Sequence, residues 1–169
     1  MLVLALLPAA CDRPPESYPP PGQRGPAAAA EGADAKMFVA MNDPYAESYI
    51  VKDVRGLEAG EWRWTGPEPT LHFVLETAEN LLFRMEFSIA GATFKTTGPV
   101  TITFRVNGHE LATEQYDSFG RKQFEKPVPA EWIEAGGDTI VSATIEPPWI
   151  SPNNTKLGVI LSRAGFVTE

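Results

Sequence analysis

The sequence predicts an all-β protein, an antiparallel β-sandwich of jelly-roll-like form with eight or nine strands, following a disordered N-terminal tail. Three observations carry this. Apolar and polar residues alternate with period two in several separate runs. Turn signals divide those runs at spacings of about ten residues. No long stretch has helical periodicity, so a βαβ organisation is excluded.

The first run is Leu71, Phe73 and Leu75, set against His72 and Glu76. In the second, Phe83, Met85, Phe87 and Ile89 share one face, and Arg84, Glu86 and Ser88 the other. Val100, Ile102, Phe104 and Val106 alternate with Thr101, Thr103 and Arg105, and Val141, Ala143 and Ile145 with Ser142 and Thr144. Leu157 to Leu161 is nearly continuous in its apolar character, as a central strand is. Between the runs stand Gly66-Pro67, Gly98-Pro99, Asn107-Gly108, Gly136-Gly137 and Ser151-Pro152-Asn153-Asn154. Asn107-Gly108 predicts a two-residue type I′ hairpin pairing residues 100–106 with 109–116, because both residues tolerate positive φ. The one stretch read as helical is 129–136, opened by Pro129 and closed by Gly136.

Ahead of the sandwich, assigned to residues 37–169, the chain has a different character. Residues 1–10 are uncharged and apolar, and Cys11 follows. Ten residues make about 15 Å of helix, half of a hydrocarbon core of about 30 Å. The length is that of a signal-peptide hydrophobic region, here a remnant without a basic start. Residues 11–36 contain six prolines and one aromatic, Tyr18, and cannot bury enough surface to offset their ordering entropy. They read as a Pro/Ala-rich linker, which as a coil would average roughly 25–30 Å.

The apolar run closing on Ala9-Ala10-Cys11 resembles the lipobox of bacterial lipoproteins, although Pro8 stands where that family prefers leucine. The resemblance implies lipidation at Cys11 and a place in the bacterial cell envelope, on the periplasmic or extracellular side. Asp12 resembles an inner-membrane retention signal. Two or three acyl chains anchor firmly where one holds only marginally.

Composition bounds the chemistry. Fourteen Lys and Arg against 22 Asp and Glu, a net charge of −8, argue against a nucleic-acid partner. One cysteine excludes a disulfide framework and a Cys-based zinc cluster. There is no P-loop, nucleophile elbow or H-E-x-x-H motif, and no catalytic residue or cofactor is assigned. Glu110, Glu114 and Asp117 are close in sequence, but 18 acids in this part of the chain make such proximity expected by chance. Asn42, Asp43 and Glu47 offer oxygen ligands in a loop where a structural calcium is conceivable; Asn-Asp-Pro is equally a simple turn.

The aromatics are the stronger signal. Trp62 and Trp64, two apart, share a face on a strand. Indoles can stack on sugar rings, with Asn107, His109, Glu110 and Asp117 as candidate hydrogen-bonding rim. Large aromatics also close the ends of sandwiches, and the core is the expectation for Trp62 and Trp64. For Trp149, between Pro147-Pro148 and Ile150, core and platform stand level.

On Trp62-Arg63-Trp64-Thr65, Val106-Asn107-Gly108, Phe124 to Pro129 and Leu157 to Leu161, residues 58–166 resemble non-catalytic β-sandwich modules of the carbohydrate-binding or galactose-binding-like kind. They are also similar to accessory domains of some bacterial membrane glycosyltransferases. The resemblance carries over no binding residues. It implies a non-enzymatic module for a glycan or a glycan-handling partner. The alternative is a structural or protein-interaction subunit of an envelope complex.

Overall fold

A computed structural model describes residues 36–168. The expectations placed on residues 1–35, Cys11 and Asp12 among them, lie outside the described residues. The elements in order are β1 (Phe38–Ala40), α1 (Ala46–Tyr49), β2 (Ile50–Glu58), β3 (Trp62–Val74), β4 (Leu81–Ile89), α2 (Gly91–Thr97), β5 (Val100–Val106), β6 (His109–Tyr116), β7 (Gly120–Pro127), a 3₁₀ turn (Ala130–Trp132), β8 (Asp138–Glu146), β9 (Trp149–Ile150), β10 (Lys156–Leu157) and β11 (Ile160–Thr168).

Nine strands form one antiparallel sheet in the order β6-β5-β8-β3-β11-β4-β7, with β2 on β3 and β1 on β11. The sheet folds onto itself because β3 belongs to both layers. Trp64 and Arg63 pair with Ile160 and Leu161 of β11, whereas Thr70 to Val74 pair with β8. The crossing falls at Gly66-Pro67-Glu68-Pro69, where two prolines withdraw ladder donors. Asp53 secures it by accepting the Glu68 N–H at 2.7 Å. A Cβ at Gly66 would overlap the Asp53 carboxylate, so the strand is glycine there for room.

The alternation read from sequence holds. Leu71, Phe73, Phe83, Met85, Phe87, Ile89, Val100, Ile102, Phe104, Val106, Val141, Ala143 and Ile145 are all buried. Their rings lock the layers together: Phe104 of β5 stacks on Phe124 of β7 at 3.6 Å, and Phe73 of β3 meets Phe166 of β11 edge-on at 5.7 Å. Truncating such a ring to alanine costs about 3–5 kcal/mol. The Asn107-Gly108 hairpin forms as predicted, with φ of 48° and 81° and Val106 opposite His109.

Four expectations need correction. The stretch 129–136 is helical only over Ala130–Trp132. Two short helices, α1 and α2, occur where no helix was expected; α2 is closed by Gly98 at φ 71°, whose N–H returns to the Phe94 carbonyl. Leu157 to Leu161 is not one strand: the chain leaves β10 at Leu157, ties Gly158 N–H to the Thr65 carbonyl at 2.9 Å, and starts β11 at Ile160. Trp62 and Trp64 are not core. Arg63 and Thr65 are the buried residues of that segment, and both indoles face outward, half-buried.

Candidate functional site

The outward face of the layer β3-β11-β4-β7 carries an open groove of about 940 Å³. Register sets its composition. Ile160, Ser88 and Arg121 line it in one row, which Trp64, beside the groove and not part of its lining, continues onto β3. Arg163, Glu86 and Gln123 form the next. At about 4.8 Å per strand, the first row with Trp64 included spans about 14 Å. Trp62 and Glu61 stand at the β3 end, with Ala40 and Asn42, from β1 and the turn after it, as a further wall.

A bulge supplies a polar side chain that regular pairing would have withheld. The register between β11 and β4 shifts between Leu161 and Arg163. Ser162 and Arg163, consecutive in sequence, therefore both line the groove. The strand is held in this form by Met41, whose N–H donates to the Ser162 carbonyl at 2.8 Å.

The two indoles make one aromatic unit, with centroids 6.3 Å apart at an interplanar angle of 86°. Beneath them Arg63 is 5% exposed. Its Nε donates to the Met41 carbonyl at 3.0 Å, and its guanidinium donates to Glu47 at 2.6 Å and the Arg55 carbonyl at 3.1 Å. The guanidinium thus ties β3 to α1 and β2, fixing the strand that presents the indoles. Further along this face Arg84 pairs with Glu125, and both Arg84 and Arg163 lie over the Phe38 ring, at 5.7 and 5.5 Å from its centroid.

The other residues singled out from sequence do not join this groove. Asn107 donates its amide to the Trp132 carbonyl at 2.7 Å and accepts from the Ile140 N–H at 2.7 Å, so its side chain is committed to the fold. His109 stacks on Trp132, with centroids 4.8 Å apart. Glu110 accepts from Thr113, and Asp117 from Gln115. Glu110 stands near the start of β6 and Asp117 just past its end, so the two lie at opposite ends of the strand, about 23 Å apart if regularly extended. Trp149 is half-buried and pairs with Leu157 in the separate β9–β10 hairpin.

The loop considered for calcium is occupied by ion pairs. Lys36 donates to Asp43, and that hydrogen bond, ahead of the one from the Tyr45 N–H, holds the Asp43 carboxyl below its ordinary value. Glu47 is taken by Arg63. Among the described residues no three His, Cys, Asp or Glu side chains are grouped to hold a metal ion.

Sequence reasoning therefore found the indoles and missed their companions: Glu86, Ser88, Arg121, Gln123, Ser162 and Arg163. Glu86 and Ser88 were visible as the outward set of their strand. Nothing local showed that β7 and β11 would flank them.

No protein-family model matches the chain, and no curated protein does. Among solved structures it is similar to an acetyl xylan esterase from the rumen bacterium Butyrivibrio proteoclasticus, with TM-score 0.46 and 11% identity over 78% of this chain and 33% of that one. It is also similar to a family GH115 4-O-methyl-α-glucuronidase with specificity for decorated arabinogalactans, with TM-score 0.40 and 13% identity over 80% of this chain and 16% of that one. Both are carbohydrate-active enzymes by name, and this chain spans a third or less of each.

Proposed function

We propose that the groove binds a glycan without transforming it, and that the chain displays this module from a bacterial envelope membrane through a lipid on Cys11. One observation carries the binding reading: an outward-facing pair of indoles at one end of a groove lined by hydrogen-bonding side chains. Indole faces offer apolar area for the C–H faces of sugar rings. Ser88, Ser162, Gln123, Asn42, Glu86 and Glu61 supply donors and acceptors for hydroxyls. A groove open along its length suits a chain better than a single small molecule.

A glycan array probed with the full chain and with Trp62→Ala tests this. Binding to a class of glycan by the wild type, lost in the variant while its circular dichroism is unchanged, is the expected result. An array on which the wild type binds nothing overturns it. For the anchor, metabolic labelling with a fatty acid should mark the wild type and not Cys11→Ser; equal labelling of both overturns it.

A second reading, docking of an envelope protein, is favoured by one observation on the opposite layer. Val74 and Ile140 are 42% and 36% exposed and are diagonal neighbours on its outer face. Charging that face with Ile140→Lys should leave glycan binding intact and abolish any such complex.

A further inference from the structure

Charge is distributed across the groove against the trend of the whole chain. The molecule carries 14 Lys and Arg against 22 Asp and Glu. The groove lining reverses this balance, with Arg121, Lys122 and Arg163 against Glu61 and Glu86. Lys122 is engaged with the Ser118 hydroxyl at 2.7 Å. Arg84, on the same face, is paired with Glu125. Arg121 and Arg163, both exposed, form no ion pair among the described residues. In so acidic a chain, an arginine is not left unpaired for want of carboxylates.

The two arginines are also placed to act on one ligand. Arg163 follows the bulge that puts Ser162 and itself on the groove, and it rests against the Phe38 ring. That contact limits its rotamers, so less freedom is lost when it binds. Arg121 stands two strands away and one outward position along β7, opposite Ser88. Strand geometry separates their Cα atoms by about 12 Å. The guanidinium fork matches a carboxylate or sulfate with two parallel N–H donors. At that distance the two guanidinium groups can converge on one anionic group or take two neighbouring ones on the same ligand.

Resting on the glycan-binding reading above, we infer that the ligand is an acidic glycan, carrying carboxylate or sulfate groups. Arg121 and Arg163 read the charges, and Trp62 and Trp64 hold a sugar ring at the β3 end. Glu61 accepts from hydroxyls beside the indoles, and Glu86, on the strand between the two arginines, accepts from hydroxyls next to the charged groups.

Binding of the full chain would be measured to oligogalacturonate, alginate and hyaluronan fragments, to the carboxyl-reduced form of each, and to a sulfated galactan fragment. Arg121→Gln, Arg163→Gln and Trp62→Ala would be run alongside. An acidic form should bind at least tenfold more tightly than its reduced form, with the advantage shrinking as salt is raised. Each arginine variant should lose most of that advantage, weakening the acidic form far more than the reduced one, whereas Trp62→Ala should weaken both forms to a similar degree. Preference for the sulfated fragment over every uronate would also support the inference and identify sulfate as the source of charge. Equal binding of acidic and reduced forms would overturn it while leaving the glycan-binding reading intact. Binding of no acidic or neutral form would overturn both.

Discussion

Arg63 and Glu47 meet at 2.6 Å across the protein surface, the arginine 5% and the carboxylate 71% exposed on their side chains. The two ends of this ion pair therefore differ in consequence. Glu47→Gln removes a solvent-exposed charge but keeps an acceptor, and the loss expected is under about 1 kcal/mol. Arg63→Ala removes a buried stem and strands the Met41 and Arg55 carbonyls, at a cost of about 2–4 kcal/mol. Urea unfolding of the two variants should show this asymmetry. Equal losses would mean that the charge pair, not burial, governs the strand.

Asn107 separates a structural role from a binding one. Its side chain makes two hydrogen bonds of 2.7 Å each, and its backbone has φ of 48°. Asn107→Ala should cost about 2 kcal/mol in thermal or chemical unfolding. Ligand affinity below the melting temperature should not change, because the residue lies on the β5–β6 turn and does not line the groove. An affinity loss without a stability loss would return Asn107 to the binding site.

How much of this was legible follows from where each signal resides. The inward sets of β4, β5 and β8 were readable because alternation is a property of one strand and its burial. The Asn107-Gly108 turn was readable because its chemistry is local. Trp62 and Trp64 could be assigned to a common face, but not to which one. The usual ranking buries tryptophan before arginine, and here Arg63 takes the inside because three acceptors await it. The groove was not legible: β4 meets β7 across 30 intervening residues and β11 across 70, and the Ser162 bulge has no local signature. Helix α2 was missed because Gly-Ala-Thr-Phe-Lys-Thr-Thr has poor helical propensity. Its Phe94 packs against the core, and Thr93 is buried with its hydroxyl on the Ala90 carbonyl.

Thr139 offers a stabilising substitution. It is fully buried on β8, opposite Phe73, and among the described residues its hydroxyl has no hydrogen-bond partner. Thr139→Val keeps the shape and removes the unsatisfied group, so stability should rise by about 1 kcal/mol. A lower melting temperature would reveal a partner for that hydroxyl, such as a buried water.

Acid should act through Asp43. Its carboxyl is held below the ordinary 3.8, first by the Lys36 hydrogen bond and then by the Tyr45 N–H. The contribution is therefore complete above the unfolded-state value and is lost as pH falls through the folded one. The same bond raises Lys36 above 10.5, so on the alkaline side the contribution is present below that value and fades as pH rises through the folded one. Melting temperatures of Asp43→Asn should fall below wild type at neutral pH and converge with it in acid. Parallel curves throughout would remove the ion pair from the account.

The first strand has a further consequence. Ala40 and Asn42 belong to one wall of the groove, and β1 is clasped to the body by only three register pairs on β11. The polypeptide thus enters its folded body through one wall of the groove. Tension arriving from the upstream side would be felt at the groove before it reached the aromatic interior. If the chain is tethered at one end and holds a polymer in that groove, as proposed above, it would carry mechanical load along the very strand that shapes its grip.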